Sequence, residues 1–226
     1  MLMLALGDSI TFGYGATDPQ RSYPQMLRQH FARNQRVSLH VQAKPGWTSR
    51  QLNKSLADVP ACIFDEAELV TLMIGGNDLL KSAPFLIQGK PERIAQVCER
   101  VQSEVEEIVG RANRPYNTFA IATLYNPFPN FDLAEQITLQ FNDMIRRVAI
   151  RNKLRIVEVE TLFRGNEATF VEHYRNGQFR DIRIVRNPIH PTDDGHRALY
   201  LGFAKVLQKP MLSRQRRKIS RQKRRA

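Results

Sequence analysis

The sequence predicts a three-layer α/β fold, a five-stranded parallel sheet with helices on both faces. Three observations predict it. Short β-type runs alternate with stretches of helical periodicity, the runs are apolar nearly throughout, and each helical stretch carries a single apolar face. A strand that is apolar on both sides has to be covered on both sides. That is the habit of parallel sheets, and the handedness of strand-helix-strand crossovers makes their connections right-handed.

Taken in order, the strands are expected over residues 1–6, 37–43, 69–74, 118–124 and 155–159; the second is apolar at Val37, Leu39, Val41 and Ala43. After the first strand, Tyr23, Met26, Leu27, His30 and Phe31 share one helical face. Ile94, Val97, Cys98, Val101, Val105 and Ile108 share another, and Ile137, Phe141, Met144, Ile145 and Val148 a third. A last helix opens near Thr192 as N-cap and keeps Leu199, Phe203, Val206 and Leu207 together; Pro210 is expected to stop it.

At 226 residues, 42% apolar and 25% charged, the chain is long enough for one domain with a real core, which excludes a disordered or collagen-like protein. Of its 34 basic residues, nine fall among the last eighteen, which hold no acid. Residues 1–208 carry 25 cations against 22 acids, a net of +3, so the high charge describes a tail and not the body. The expected division is a domain over residues 1–209 and a basic, disordered tail over 210–226. Cys62 and Cys98 form no C-x-x-C and have no His at ligand spacing, so neither a disulfide framework nor a metal site is expected. The opening apolar run is short for a secretion signal and no eighteen apolar residues run together. A soluble, cytoplasmic protein is expected.

Parallel sheets bind ligands at the carboxyl ends of their strands, and four short motifs fall there or beside it. The first strand ends in Gly7-Asp8-Ser9-Ile10-Thr11, followed by Phe12-Gly13-Tyr14-Gly15; the third runs into Gly75-Gly76-Asn77-Asp78. Pro45-Gly46-Trp47-Thr48-Ser49 follows the second strand, and Asn187-Pro188-Ile189-His190-Pro191 precedes the last helix. Singly, each is also ordinary turn or capping chemistry. Together they supply a hydroxyl, an imidazole and several hydrogen-bond donors. Acyl transfer needs that set, because serine is a poor nucleophile without a base and a tetrahedral oxyanion needs waiting donors.

In this order the four blocks resemble the GDSL, or SGNH, hydrolase family, and they span residues 7 to 191. The resemblance implies a flavodoxin-like α/β/α sandwich that hydrolyses carboxylic esters without a cofactor. It implies Ser9 as nucleophile, His190 as general base, and an oxyanion hole from the Ser9 and Gly46 N–H groups and the Asn77 amide. One position departs from the pattern. The family carries Asp three residues before its catalytic His, and this chain has Asn187. In serine proteases the analogous Asp-to-Asn change costs about 10⁴ in turnover, yet Cys-His-Asn enzymes work. Asn187 is therefore expected to orient His190, with a backbone carbonyl or Asp181, Asp193 or Asp194 as substitute.

His30 reads as a boundary residue, His40 as an outward strand position and His173 as part of a polar loop. His196, one turn inside the last helix, is the rival base. Asp8 and Asp78 are expected to brace backbone N–H groups. Tyr125 and Phe128 after the fourth strand, with Trp47 and Phe12, are expected to wall the acyl group; the same aromatics could equally cap the core. The partner is a small-molecule or lipid ester; the charge of residues 210–226 suits an anionic surface, but the tail reads first as a solvated segment with no specific partner. The tail lacks aromatics for base stacking, so no specific nucleic acid is expected. The alternative is a catalytically weak binding protein held on an anionic surface by that tail.

Overall fold

A computed structural model describes residues 1–86, 90–182 and 186–223. All five predicted strands form: β1 (Leu2–Gly7), β2 (Ser38–Ala43), β3 (Ala67–Met73), β4 (Thr118–Ala122) and β5 (Arg155–Val157). They make one sheet in the order β2-β1-β3-β4-β5, every pairing parallel. β1, β3 and β4 are buried on both faces over nearly all their length, as their largely apolar runs require; β2, at one edge, is half-open.

The helices are α1 (Ser9–Phe12), α2 (Tyr23–Ala32), α3 (Ser49–Ser55), α4 (Ala61–Glu66), α5 (Gly76–Leu86), α6 (Pro91–Ala112), α7 (Asp132–Arg151), α8 (Val159–Phe163), α9 (Glu167–Phe170) and α10 (Asp193–Lys223). On α6 and α7 every predicted core residue is buried, while on α2 Tyr23, Leu27 and Phe31 are buried and Met26 and His30 lie at the margin. The predicted cap holds as well: Thr192 Oγ1 accepts the Gly195 N–H at 3.1 Å, fixing where α10 starts. Such a cap contributes about 1 kcal/mol. One boundary is corrected. The helix does not stop at Pro210 but runs through it to Lys223. A proline removes one backbone donor and kinks a helix without having to end it, and the Arg, Lys and Gln that follow are good helix formers.

This strand order fixes where a site can form. From β1 the chain goes to β2 on one side, and β3 pairs on the other, so the winding reverses between β1 and β3. At such a reversal the two loops at the carboxyl ends diverge and leave a crevice. Ser9 follows β1 and Asn77 follows β3. Among the described residues, no helix is long and apolar enough to cross a membrane.

Candidate active site

Gly7 ends β1 in tight quarters. A Cβ there would collide with the Thr11 hydroxyl and lie 2.5 Å from the Met73 carbonyl, so only glycine lets the chain turn beside β3. The turn leads straight into α1, whose N-cap is Asp8: its Oδ1 accepts the Ile10 N–H at 3.1 Å. Ser9 is thereby the first helical residue, 7% exposed.

His190 reaches it from the other end of the chain. Its Nε2 lies 3.1 Å from Ser9 Oγ, across 181 positions of sequence. The loop that carries it is held by the Glu172 N–H on the His190 carbonyl at 2.8 Å and by a bridge between Val171 and Pro191. The Tyr125 hydroxyl adds a bond to the Ile189 carbonyl at 2.7 Å. The Tyr14 ring covers the imidazole, centroids 4.3 Å apart. Asn187 is half-buried three residues upstream, and its backbone carbonyl accepts the Ile189 N–H at 2.9 Å.

Two of the expected oxyanion donors, Gly46 and Asn77, lie on segments that touch each other. Asn77 sits on the first turn of α5 and not in the loop its Gly-Gly-Asn-Asp context suggested. Its Nδ2 donates to the Trp47 carbonyl at 2.9 Å and approaches Asp8 Oδ2 at 3.5 Å, long for a hydrogen bond. Gly46, the residue before Trp47, adopts φ +80°, and its carbonyl accepts from Lys81 at 3.0 Å. Asp78 ties the same loop down by accepting both the N–H and the hydroxyl of Ser49 at 2.8 Å. Both aspartates therefore brace backbone N–H groups, as expected.

Burial dominates the electrostatics. It pushes the His190 imidazole down to about 4, with His196 acting in the same direction, so the ring is neutral and able to accept a proton at pH 7. Burial likewise raises Asp8 to about 7, opposed by the Ile10 N–H and assisted by Asp78. The rival base is occupied. His196 is fully buried; its Nδ1 accepts the Tyr23 N–H at 3.4 Å, which leaves Nε2 to donate to the Tyr14 carbonyl at 3.0 Å. Asp181 accepts the Asn176 and Gln178 N–H groups, Asp193 is clasped by Thr17 and Arg21, and Asp194 is exposed. His30 bridges to Tyr200 on the α2–α10 seam, a boundary role as expected. No group of three or more metal-ligating side chains occurs among the described residues.

An apolar cavity of about 140 Å³ lies beside the residues next in the chain to the pair. Ile10, Gly76 and Ile189, the chain neighbours of Ser9, Asn77 and His190, line it together with Tyr125, Phe128 and Phe131. Of the expected wall, Tyr125 and Phe128 are in place. Trp47 is not part of the lining: it packs half-buried against the core and serves through its carbonyl. Phe12 is 58% exposed and does not line the cavity either. The wall that sequence reading missed comes from α5 (Leu79, Leu80, Ala83) and from α7 with Phe179. An apolar helix face signals a core and a cavity alike. Tyr14 was missed too; its place in a glycine-rich turn was the one available signal.

The family model of GDSL-like lipases and acylhydrolases matches residues 5–198. The chain is 26% identical over 207 residues to the spore germination lipase LipC of Bacillus licheniformis, spanning 86% of this chain and 91% of that one. Among solved structures it is similar to the lipase Lip_vut3 from a goat rumen metagenome, with TM-score 0.71, 24% identity, and 91% and 97% of the two chains covered. It is similar also to the acetylxylan esterase Axe2 of Geobacillus stearothermophilus, with TM-score 0.66, 18% identity, and 92% and 94% covered. At these identities the structural likeness bears on the fold alone. None of these matches supports the reading as a binding protein without activity.

Proposed function

The chain belongs to the GDSL-like lipase/acylhydrolase family and is an ester hydrolase, and from that premise we propose that it works through an acyl-Ser9 intermediate. His190 Nε2 accepts the Ser9 proton as Oγ attacks the ester carbonyl. The Ser9 and Gly46 N–H groups and the Asn77 amide receive the oxyanion. Collapse expels the alcohol, which takes its proton from His190. Water, activated by the same imidazole, then releases the acid and restores Ser9. Asn187 orients the ring with its amide oxygen and adds no charge. The observation that carries this reading is the 3.1 Å contact between Ser9 Oγ and a neutral, half-buried His190.

The acyl group occupies the apolar cavity, whose lining is almost wholly hydrocarbon. That suits a short or medium acyl chain, and either a lysolipid or an acylated sugar offers a matching ester. The basic tail gives salt-sensitive contact with an anionic surface. Cys62 and Cys98 are both free, in keeping with our assignment to the cytoplasm. Hydrolysis of p-nitrophenyl butyrate by the parent and by Ser9→Ala tests the mechanism. Loss of Ser9 should lower kcat by about 10³-fold or more, toward the background left by the remaining site. Equal rates would end the acyl-serine reading.

A further inference from the structure

One side chain joins the cavity to the catalytic pair. Tyr125 leaves the loop after β4 with its ring in the cavity wall and its hydroxyl on the Ile189 carbonyl, 2.7 Å away. Ile189 is itself a cavity residue, and its peptide continues directly into His190. The Tyr125 ring is backed by Phe163, stacked at 4.3 Å with planes 9° apart, and Phe163 is 1% exposed. The tyrosine therefore has a fixed back, an apolar face open to the cavity, and a polar tip on the histidine loop. Burial raises its hydroxyl well above the usual phenol range, so it remains a donor at every working pH.

From this arrangement we infer that Tyr125 is a positioning residue that couples occupancy of the cavity to the alignment of His190 with Ser9. The inference rests on the acyl-serine reading above. An acyl chain long enough to fill the cavity packs against Tyr125 and Ile189 together and clamps the loop from its apolar side, while the hydroxyl holds it from the polar side. Chain length then acts on turnover and not on binding alone. The leverage is large, because displacement of a catalytic group by about 1 Å can cost about 10²-fold in rate.

The test uses p-nitrophenyl esters from acetate to decanoate with the parent, Tyr125→Phe and Ser9→Ala, with melting temperatures recorded for all three. Tyr125→Phe removes one oxygen and leaves the ring wall and the Phe163 stack. In the parent, kcat should rise with chain length by about tenfold as KM falls. In Tyr125→Phe, kcat should drop about 10- to 100-fold on the longer esters and become flat with chain length, with the trend in KM retained. A parent whose kcat ignores chain length would overturn the inference. So would a Tyr125→Phe enzyme whose kcat still rises like the parent's, even at a lowered melting temperature. Undiminished hydrolysis by Ser9→Ala would instead remove the acyl-serine reading beneath it, and the two failures are told apart by which variant keeps its activity.

Discussion

Replacing Asn187 with aspartate should make the pH–rate profile of the variant cross that of the parent. Burial and His196 hold the His190 imidazole at about 4, against 6.5 for an unburied ring. At 1.36 kcal/mol per pKa unit, protonating it in the site costs roughly 3 kcal/mol more than in water. A carboxylate within hydrogen-bond reach raises an imidazole by about 1–3 pKa units, which brings the base of Asn187→Asp to roughly 6. The sign follows from the role. A general base must be unprotonated, so the parent should lose kcat/KM only as pH falls through about 4, and the variant as it falls through roughly 6. At pH 5 the variant is mostly protonated and slower. At pH 8 both are unprotonated and the variant holds the stronger base. If half of a two-unit gain in basicity appears in the transition state, it is about tenfold faster there. Asn187→Ala should be slower than the parent by about tenfold or more at every pH, since an unoriented ring is penalised without regard to charge. The groups near His190 that also titrate are His196, Asp8 and Glu172, all retained in these variants, so they shift the three profiles alike. Initial rates on p-nitrophenyl acetate from pH 4 to 9 decide the matter. Two variants that both overlay the parent would take Asn187 out of the mechanism.

Three further outcomes can be measured. Asn77→Ala should reduce kcat by about 10²–10³-fold with little change in KM, because the amide acts on charge that exists only during reaction; steady-state kinetics check it, and a change confined to KM would contradict the assignment. Gly75→Ala should destabilise the protein by roughly 2–5 kcal/mol in urea unfolding, since its φ of +116° is strained for alanine and a Cβ would collide with the Phe141 ring. Phosphatidylglycerol vesicles should sediment the full chain at low salt and release it at high salt. Changing Arg214, Arg217, Arg221 and Arg224 to Gln should weaken binding by roughly 10²-fold or more, at about 1 kcal/mol per cation near the surface; equal sedimentation with neutral phosphatidylcholine vesicles would refute a charge-driven contact.

The strands and the three long helical faces were legible because each repeats its signal over many positions. Six buried residues on α6 recur at helical spacing, and β3 is apolar along nearly its whole length. The catalytic rim was legible for a topological reason: motifs at the carboxyl ends of neighbouring parallel strands must meet. The rule that a residue one turn inside a helix packs holds for His196, which is fully buried against Tyr14 and Tyr23. The short helices were not legible, because the four residues of α1 or the six of α4 hold too few periods to show a face. Trp47 was assigned to the wrong wall since position along a loop says nothing of which way a ring turns; in the structure its carbonyl serves and its side chain packs on the core. Tyr125 was found as a wall residue, but its hydroxyl contact with the Ile189 carbonyl, 64 positions away, leaves no trace in local pattern.

A base without an aspartate changes what the rest of the site must do. In the proposed mechanism, the attack of Ser9 would create an imidazolium and an oxyanion together, a few ångströms apart. Two unit charges 4 Å apart attract by about 4 kcal/mol at an effective dielectric of 20, and by about 1 kcal/mol in water. The nascent charges therefore offset one another in proportion to how dry the site is. In a triad a carboxylate supplies part of that compensation whether or not substrate fills the pocket. On the acyl-serine proposal the compensation depends on the exclusion of water, and an acyl chain in the apolar cavity beside Ile10, Gly76 and Ile189 would help to exclude it. Donors held in advance gain the same importance: the Asn77 amide, fixed by the Trp47 carbonyl at 2.9 Å, does not have to reorganise as charge develops. On the acyl-serine proposal, Asn187 in place of a carboxylate would make the apolar cavity matter to the electrostatics of the site, since hydrocarbon from the substrate would help to exclude water from the charges that develop.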